Sequence, residues 1–144
     1  MNTKDSLATA RRVAAEYIEN RRFVKTMESA RPSILSRLGI STEGYLSFEY
    51  ELPGNRVPKK DRGIVEEYLD RRRKKEAVEI TIEERIDEEQ RNMMKAVFID
   101  GMSNENAASE FGVSRSTIKR LRNRFYDELI CELVWQGICE EEEG

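Results

Sequence analysis

The sequence predicts a mainly all-α protein, and three observations carry that expectation. Apolar residues recur at spacings of three and four through residues 5–30 and again beyond residue 60, which is the period of one helix face. In the C-terminal third, Asp or Ser precedes each helical stretch as a candidate N-cap, and glycines follow the first two. Strict two-residue alternation is confined to one short run.

The elements follow in order. Over residues 5–30, Leu7, Ala10, Val13, Ala14, Tyr17, Ile18, Val24 and Met27 form one stripe, with Arg11, Arg12, Arg21 and Arg22 largely between them. One helix is expected there, ending before Pro32, because the residue before proline disfavours the helical basin. A helical turn through Ile34, Leu35 and Leu38 would close at Gly39. Leu46, Phe48, Tyr50 and Leu52 then alternate with Tyr45, Ser47, Glu49 and Glu51, which suits either one strand or an extended loop. Pro53, Gly54 and Pro58 punctuate the chain and mark the boundary between its halves.

From Lys60 a second helix carries Ile64, Val65, Tyr68 and Leu69 into the basic run Arg71, Arg72, Arg73, Lys74 and Lys75. That run reads as a solvated face or as a phosphate-contacting or polymerase-facing patch. The β-branched residues around 78–81 suggest a joint. Asp87 with Gln90 three residues later has the form of a capping box, and Met94, Val97 and Phe98 continue as a stripe that should stop at Gly101. Ser103 would cap a short helix ending at Gly112, and Ser114 would cap a long one starting at Arg115. The expected organisation is a helical N-terminal region with an extended segment (1–58), a connecting basic helix (59–86), a C-terminal helical unit (87–139) and an acidic tail (140–144).

Composition narrows the functional classes. The chain of 144 residues has no histidine, which removes the commonest general base and any imidazole zinc site. Two cysteines, Cys131 and Cys139, are too few for a four-cysteine zinc site. On one continuous helix they would stand about 12 Å apart, beyond disulfide reach. Glu83, Glu84, Asp87 and Glu88 cluster at a helix start, where capping and dipole effects explain them better than acid–base chemistry. No catalytic residue, metal or cofactor is expected, and the chain reads as a non-enzyme. With no signal-like stretch and no apolar run near 18 residues, a cytoplasmic protein that does not enter membranes is expected.

Net charge is −3, yet it is unevenly spread. Residues 103–126 hold Arg115, Lys119, Arg120, Arg122 and Arg124 against only Glu105 and Glu110. Residues 127–144 hold seven acids and no Lys or Arg. Binding responds to the local field, so a polyanion could engage the positive stretch despite the net charge. Its spacing is informative. Ala107 and Ala108 permit close helix approach, Gly112 supplies a positive φ, Phe111 and Val113 bracket the turn, and Ile118 and Leu121 point inward. Arg115, Ser116, Lys119, Arg120 and Asn123 are left outward.

The run N-E-N-A-A-S-E-F-G-V-S-R-S-T-I-K-R-L (residues 104–121) resembles the helix-turn-helix of region 4 in the sigma-70 class of bacterial sigma factors, and of related phage activators. The resemblance covers residues 87–132 and rests on the A-x-x-x-G-V-S spacing from Ala108 to Ser114 and on T-I-K-R at residues 117–120. The larger layout resembles the RinA/ArpU type of phage late-gene regulators. The resemblance implies a sequence-specific transcriptional regulator of phage or prophage origin, with double-stranded promoter DNA as ligand and RNA polymerase as a further partner. It casts Ser103, Ser114, Arg115, Ser116, Lys119, Arg120, Arg122, Asn123 and Arg124 as the DNA-facing set. Within that set, Arg115 and Arg120 suit guanine, Asn123 suits adenine, and Ser103, Ser116, Lys119, Arg122 and Arg124 suit phosphates. Nothing resembles the promoter-melting region of a sigma factor. Two alternatives stand beside it: a small terminase subunit that recognises packaging DNA, and a helical adaptor that binds a protein without DNA. Beyond the basic stretch, Phe125, Leu129, Ile130, Leu133, Val134, Trp135 and Ile138 form an apolar stripe, which would either pack on the N-terminal half or make a homodimer.

Overall fold

The computed structural model describes residues 3–37 and 59–139, and over these the fold is all-α, with no strand. Seven helices follow in order: α1 (Thr3–Ala15), α2 (Tyr17–Ala30), α3 (Pro32–Arg37), α4 (Arg62–Ile80), α5 (Glu88–Met94), α6 (Asn104–Phe111) and α7 (Arg115–Trp135). A 3₁₀ turn, Lys59–Asp61, leads into α4, and wide π-type turns, Thr81–Arg85 and Lys95–Ile99, extend α4 and α5. The alternating run at 45–52, Gly39 and the acidic tail lie outside the described residues.

The long N-terminal helix is split in two. Glu16 leaves helical geometry at φ −87°, ψ 1°, although the bonding ladder bridges it through Glu16 N–H to Arg12 O (2.9 Å) and Asn20 N–H to Glu16 O (2.8 Å). The break serves packing. It lets α1 bury Ala10, Val13 and Ala14 in the core shared with α7, while α2 turns Val24 and Met27 onto Val65, Tyr68 and Leu69 of α4. Pro32 opens α3 as its first residue, where its missing N–H costs nothing.

The joint expected at 78–81 does not form there. Val78, Thr81 and Ile82 are fully buried, and the Thr81 hydroxyl donates to Ala77 O at 2.7 Å, so core burial overrides the weak helix propensity of β-branched residues. The chain turns five residues later, at Ile86, which is extended at φ −120°, ψ 159°.

Four of the five basic residues of the α4 run hold carboxylates on their own helix. Arg71 pairs with Glu67 (3.0 Å), Lys74 with Asp70 (2.9 Å) and Lys75 with Glu79 (3.1 Å), each four residues apart on one helix face. Arg72 is buried with Glu76 at 2.9 Å and also donates to the Tyr68 hydroxyl at 3.2 Å. Tyr68 in turn donates to Glu28 of α2 (3.2 Å), and Tyr17 donates to Glu79 (2.7 Å), so the run fastens α4 to α2. Burial raises the Tyr68 phenol to about 12, and burial with the Glu79 bond raises Tyr17 further still.

The apolar stripe of α7 folds back into the molecule. Phe125, Leu129 and Leu133 are fully buried with Ala10, Val13, Ala77, Val78 and Phe98. Phe98 stacks on Phe125 at 4.3 Å between ring centroids, and Tyr126 meets Phe98 edge-on at 5.7 Å. One core therefore holds residues from the N-terminal, connecting and C-terminal segments. Trp135 is the exception on α7, 62% exposed near its end. Cys131 (exposed) and Cys139 (buried) are both free, and burial pushes the Cys139 thiol up. No described helix is long and apolar enough to cross a membrane.

Candidate nucleic-acid interface

The site is built on the turn between α6 and α7. α5 and its wide turn end at Gly101, at φ +73°, as the glycine predicts. Asp87 does occupy the N-cap position of α5, but its side chain makes no cap bond; the Gln90 N–H reaches the Asp87 backbone oxygen instead (3.0 Å), and the expected capping box is not formed. Ser103 behaves as expected, its Oγ accepting from the Asn106 N–H at 3.1 Å. α6 closes with a Schellman pair. Val113 N–H bonds Ala108 O (3.0 Å) and Gly112 N–H bonds Ser109 O (3.4 Å), with Gly112 left-handed at φ +66°, ψ 32°. Ser114 is extended and its Oγ accepts from the Thr117 N–H at 3.1 Å, which starts α7 after a three-residue turn, 112–114.

Inward residues of α6 and α7 fix how the two helices lie. Ala107 and Ala108 are buried at the contact, and Ile118, Leu121 and Phe125 enter the core. At 100° per residue, the face opposite those three carries Ser116, Lys119, Arg120 and Asn123, with Arg115 and Arg124 at its margins. All six are exposed. From Arg115 to Arg124 this face runs about 14 Å along the helix, comparable with the roughly 12 Å width of a DNA major groove. Asp127 is the next outward residue and ends it. Asn104 and Glu105 of α6, which spacing arguments did not single out, line an open groove with Arg115, Ser116 and Lys119. Arg124 faces a different cleft, with Arg85, Asp87, Gln90, Asp127 and Glu128.

Among the described residues, Arg115, Lys119, Arg120 and Arg124 make no ion pair. The first turn of α7 also carries no acid, whereas those of α5 and α6 do. A cation at a helix N-terminus opposes the dipole by roughly 0.3–1 kcal/mol, so Arg115 does not serve the helix it opens.

Arg122 stands apart from the rest of the set. Its guanidinium donates to Asn104 Oδ1 (2.7 Å) and to the Tyr126 hydroxyl (2.8 Å), and it lies 5.4 Å from the Phe98 ring centroid. It ties the start of α6 to α7 and sits beneath the interface. The pairing spans 18 residues, so no local spacing announces it.

Among the described residues, no group of three or more metal-ligating side chains is assembled. Compared with protein-family models, curated proteins and solved structures, the chain matches none.

Proposed function

We propose that the chain is a sequence-specific DNA-binding transcriptional regulator that places the first turns of α7 in the major groove, α6 and α7 acting as a helix-turn-helix. The observation that carries this reading is a contrast between two basic runs. On α4, Arg71, Arg72, Lys74 and Lys75 each hold a carboxylate; on α7, Arg115, Lys119, Arg120 and Arg124 hold none among the described residues and stand exposed. A row of cations left without internal partners on a rigid, capped helix suits a polyanion. Arg115 and Arg120 would make bidentate contacts to guanine, Asn123 would read adenine, and Ser103, Ser114, Ser116, Lys119 and Arg124 would hold phosphates. Arg122 would orient the two helices.

The resemblance of residues 104–121 to sigma region 4 supports promoter DNA as the target and a phage or prophage setting in the cytoplasm. Exposed Trp135, far along α7 from the basic face, favours a second contact with a protein, either RNA polymerase or another copy of the chain. Selection of bound sequences from random duplex DNA tests the reading, followed by titration against salt. Several phosphate contacts predict a log–log slope near −0.9 for each. A duplex that goes unbound at low salt would leave the adaptor reading, and selection of a packaging-type sequence would favour the terminase reading.

A further inference from the structure

A second cation converges on the edge of this face from a part of the chain that the helix-turn-helix does not include. Arg11 of α1 is exposed, and its guanidinium lies 5.8 Å from the centroid of the Tyr126 ring. Arg122 lies 5.9 Å from the same centroid. Tyr126 is itself buried and held on Phe98, so the ring that both guanidinium groups approach is fixed. Arg122 donates to Asn104 and to the Tyr126 hydroxyl, whereas Arg11 pairs with no carboxylate among the described residues.

Two like charges within 6 Å of one ring centroid gain nothing from each other, and Arg11 has no carboxylate partner among the described residues. Their convergence is explained by an anion from outside. Position supports the same conclusion. Tyr126 lies seven residues beyond Lys119, about 10 Å further along α7, on the flank that also carries Arg115 and Arg122. A helix whose first turns occupy the major groove leaves its following turns beside the phosphate backbone at the groove's rim.

We propose that Arg11 is a phosphate-contacting residue, held on Tyr126, through which the N-terminal half extends the DNA footprint. The inference rests on the reading of α7 as a DNA-recognition helix. It gives α1 a direct part in binding, in addition to its part in the core. Such a contact positions the protein without specifying sequence.

The test uses the full chain and the duplex selected by the wild type, or any duplex if none is selected. Arg11→Ala should lower the magnitude of the salt slope by about 0.9, equivalent to about an eightfold loss at 0.1 M monovalent salt, for specific and random duplexes alike. Arg22→Ala, which removes an exposed cation from α2, should leave the slope unchanged. Arg11→Lys should recover most of the slope, because it keeps the positive charge near Tyr126. Thermal melts of all three should match the wild type, which separates lost contact from lost fold. An Arg11→Ala slope equal to the wild type's, or an equal loss in Arg22→Ala, overturns the assignment while leaving α7 as the reading helix. A wild type that binds no duplex overturns both.

Discussion

Arg122→Ala separates the scaffold of the interface from its reading face. The substitution removes two charge-assisted hydrogen bonds, to Asn104 at 2.7 Å and to the Tyr126 hydroxyl at 2.8 Å, together with a cation over the Phe98 ring. Bonds to a charged donor contribute about 1.5–3 kcal/mol each. Arg122 and Asn104 are half-buried and water can replace part of the lost bonding, so the sum falls to about 2–3 kcal/mol. For a chain of this size that is a fall in melting temperature of roughly 6–10 °C. Arg120→Ala, two residues earlier, touches nothing internal and should change stability by less than about 0.5 kcal/mol. On DNA, under the proposed function, the pair should behave differently. Arg120→Ala should lose about 1–3 kcal/mol of discrimination against a wrong base while keeping its fold. Arg122→Ala, assayed well below its own melting point, should lose affinity for all duplexes together, because α6 is no longer held against α7. Circular dichroism melts and fluorescence-anisotropy titrations read both effects. Equal melting temperatures for the two variants would refute the assignment of Arg122 to the scaffold.

Three further outcomes follow from the geometry. Gly112→Ala adds a Cβ that meets nothing within 4 Å, so its cost is the left-handed backbone alone, roughly 1–2 kcal/mol; Gly101→Ala at φ +73° also presses on Ile18 Cδ1 at 3.0 Å and should cost more, an order that urea denaturation would check. Arg72→Ala removes the buried ion pair of Glu76 and should cost about 3–5 kcal/mol, whereas Arg72→Met with Glu76→Leu should recover most of that loss; a double variant no better than the single one would refute the argument. Tyr17 and Tyr68 have folded-state phenols raised above the unfolded value near 10, so their contribution is fully present below pH 10 and is lost as pH climbs through 12. Tyr68→Phe should therefore flatten the loss of stability between pH 10 and 12, and an unchanged alkaline unfolding curve would count against the buried-phenol account.

What the residues announced, and what they withheld, divides by the range of the interaction. The all-α class, the caps at Ser103 and Ser114, and the left-handed stops at Gly101 and Gly112 are local. Each depends on groups three or four residues apart, and each stands where the spacing puts it. The outward row on α7 is equally local, since Ile118, Leu121 and Phe125 fix the inward face and leave the remainder by elimination. Apart from the local Asp87–Gln90 capping box, failures began where a distant partner decided. The stripe over residues 5–30 is continuous in sequence but serves two neighbours, α7 and α4, and the helix parts at Glu16 to meet both. Val78, Thr81 and Ile82 have poor helix propensity, yet the core they fill carries the helix past them. Most telling are the two basic runs, which composition alone cannot distinguish. Arg71, Arg72, Lys74 and Lys75 have carboxylates four residues away on their own helix, and that spacing was readable before any coordinates. Arg115, Lys119 and Arg120 have no acid at i±4, and Arg124, which has Glu128 there, makes no ion pair with it, so missing pairing more than density of positive charge is what sets the α7 face apart among the described residues.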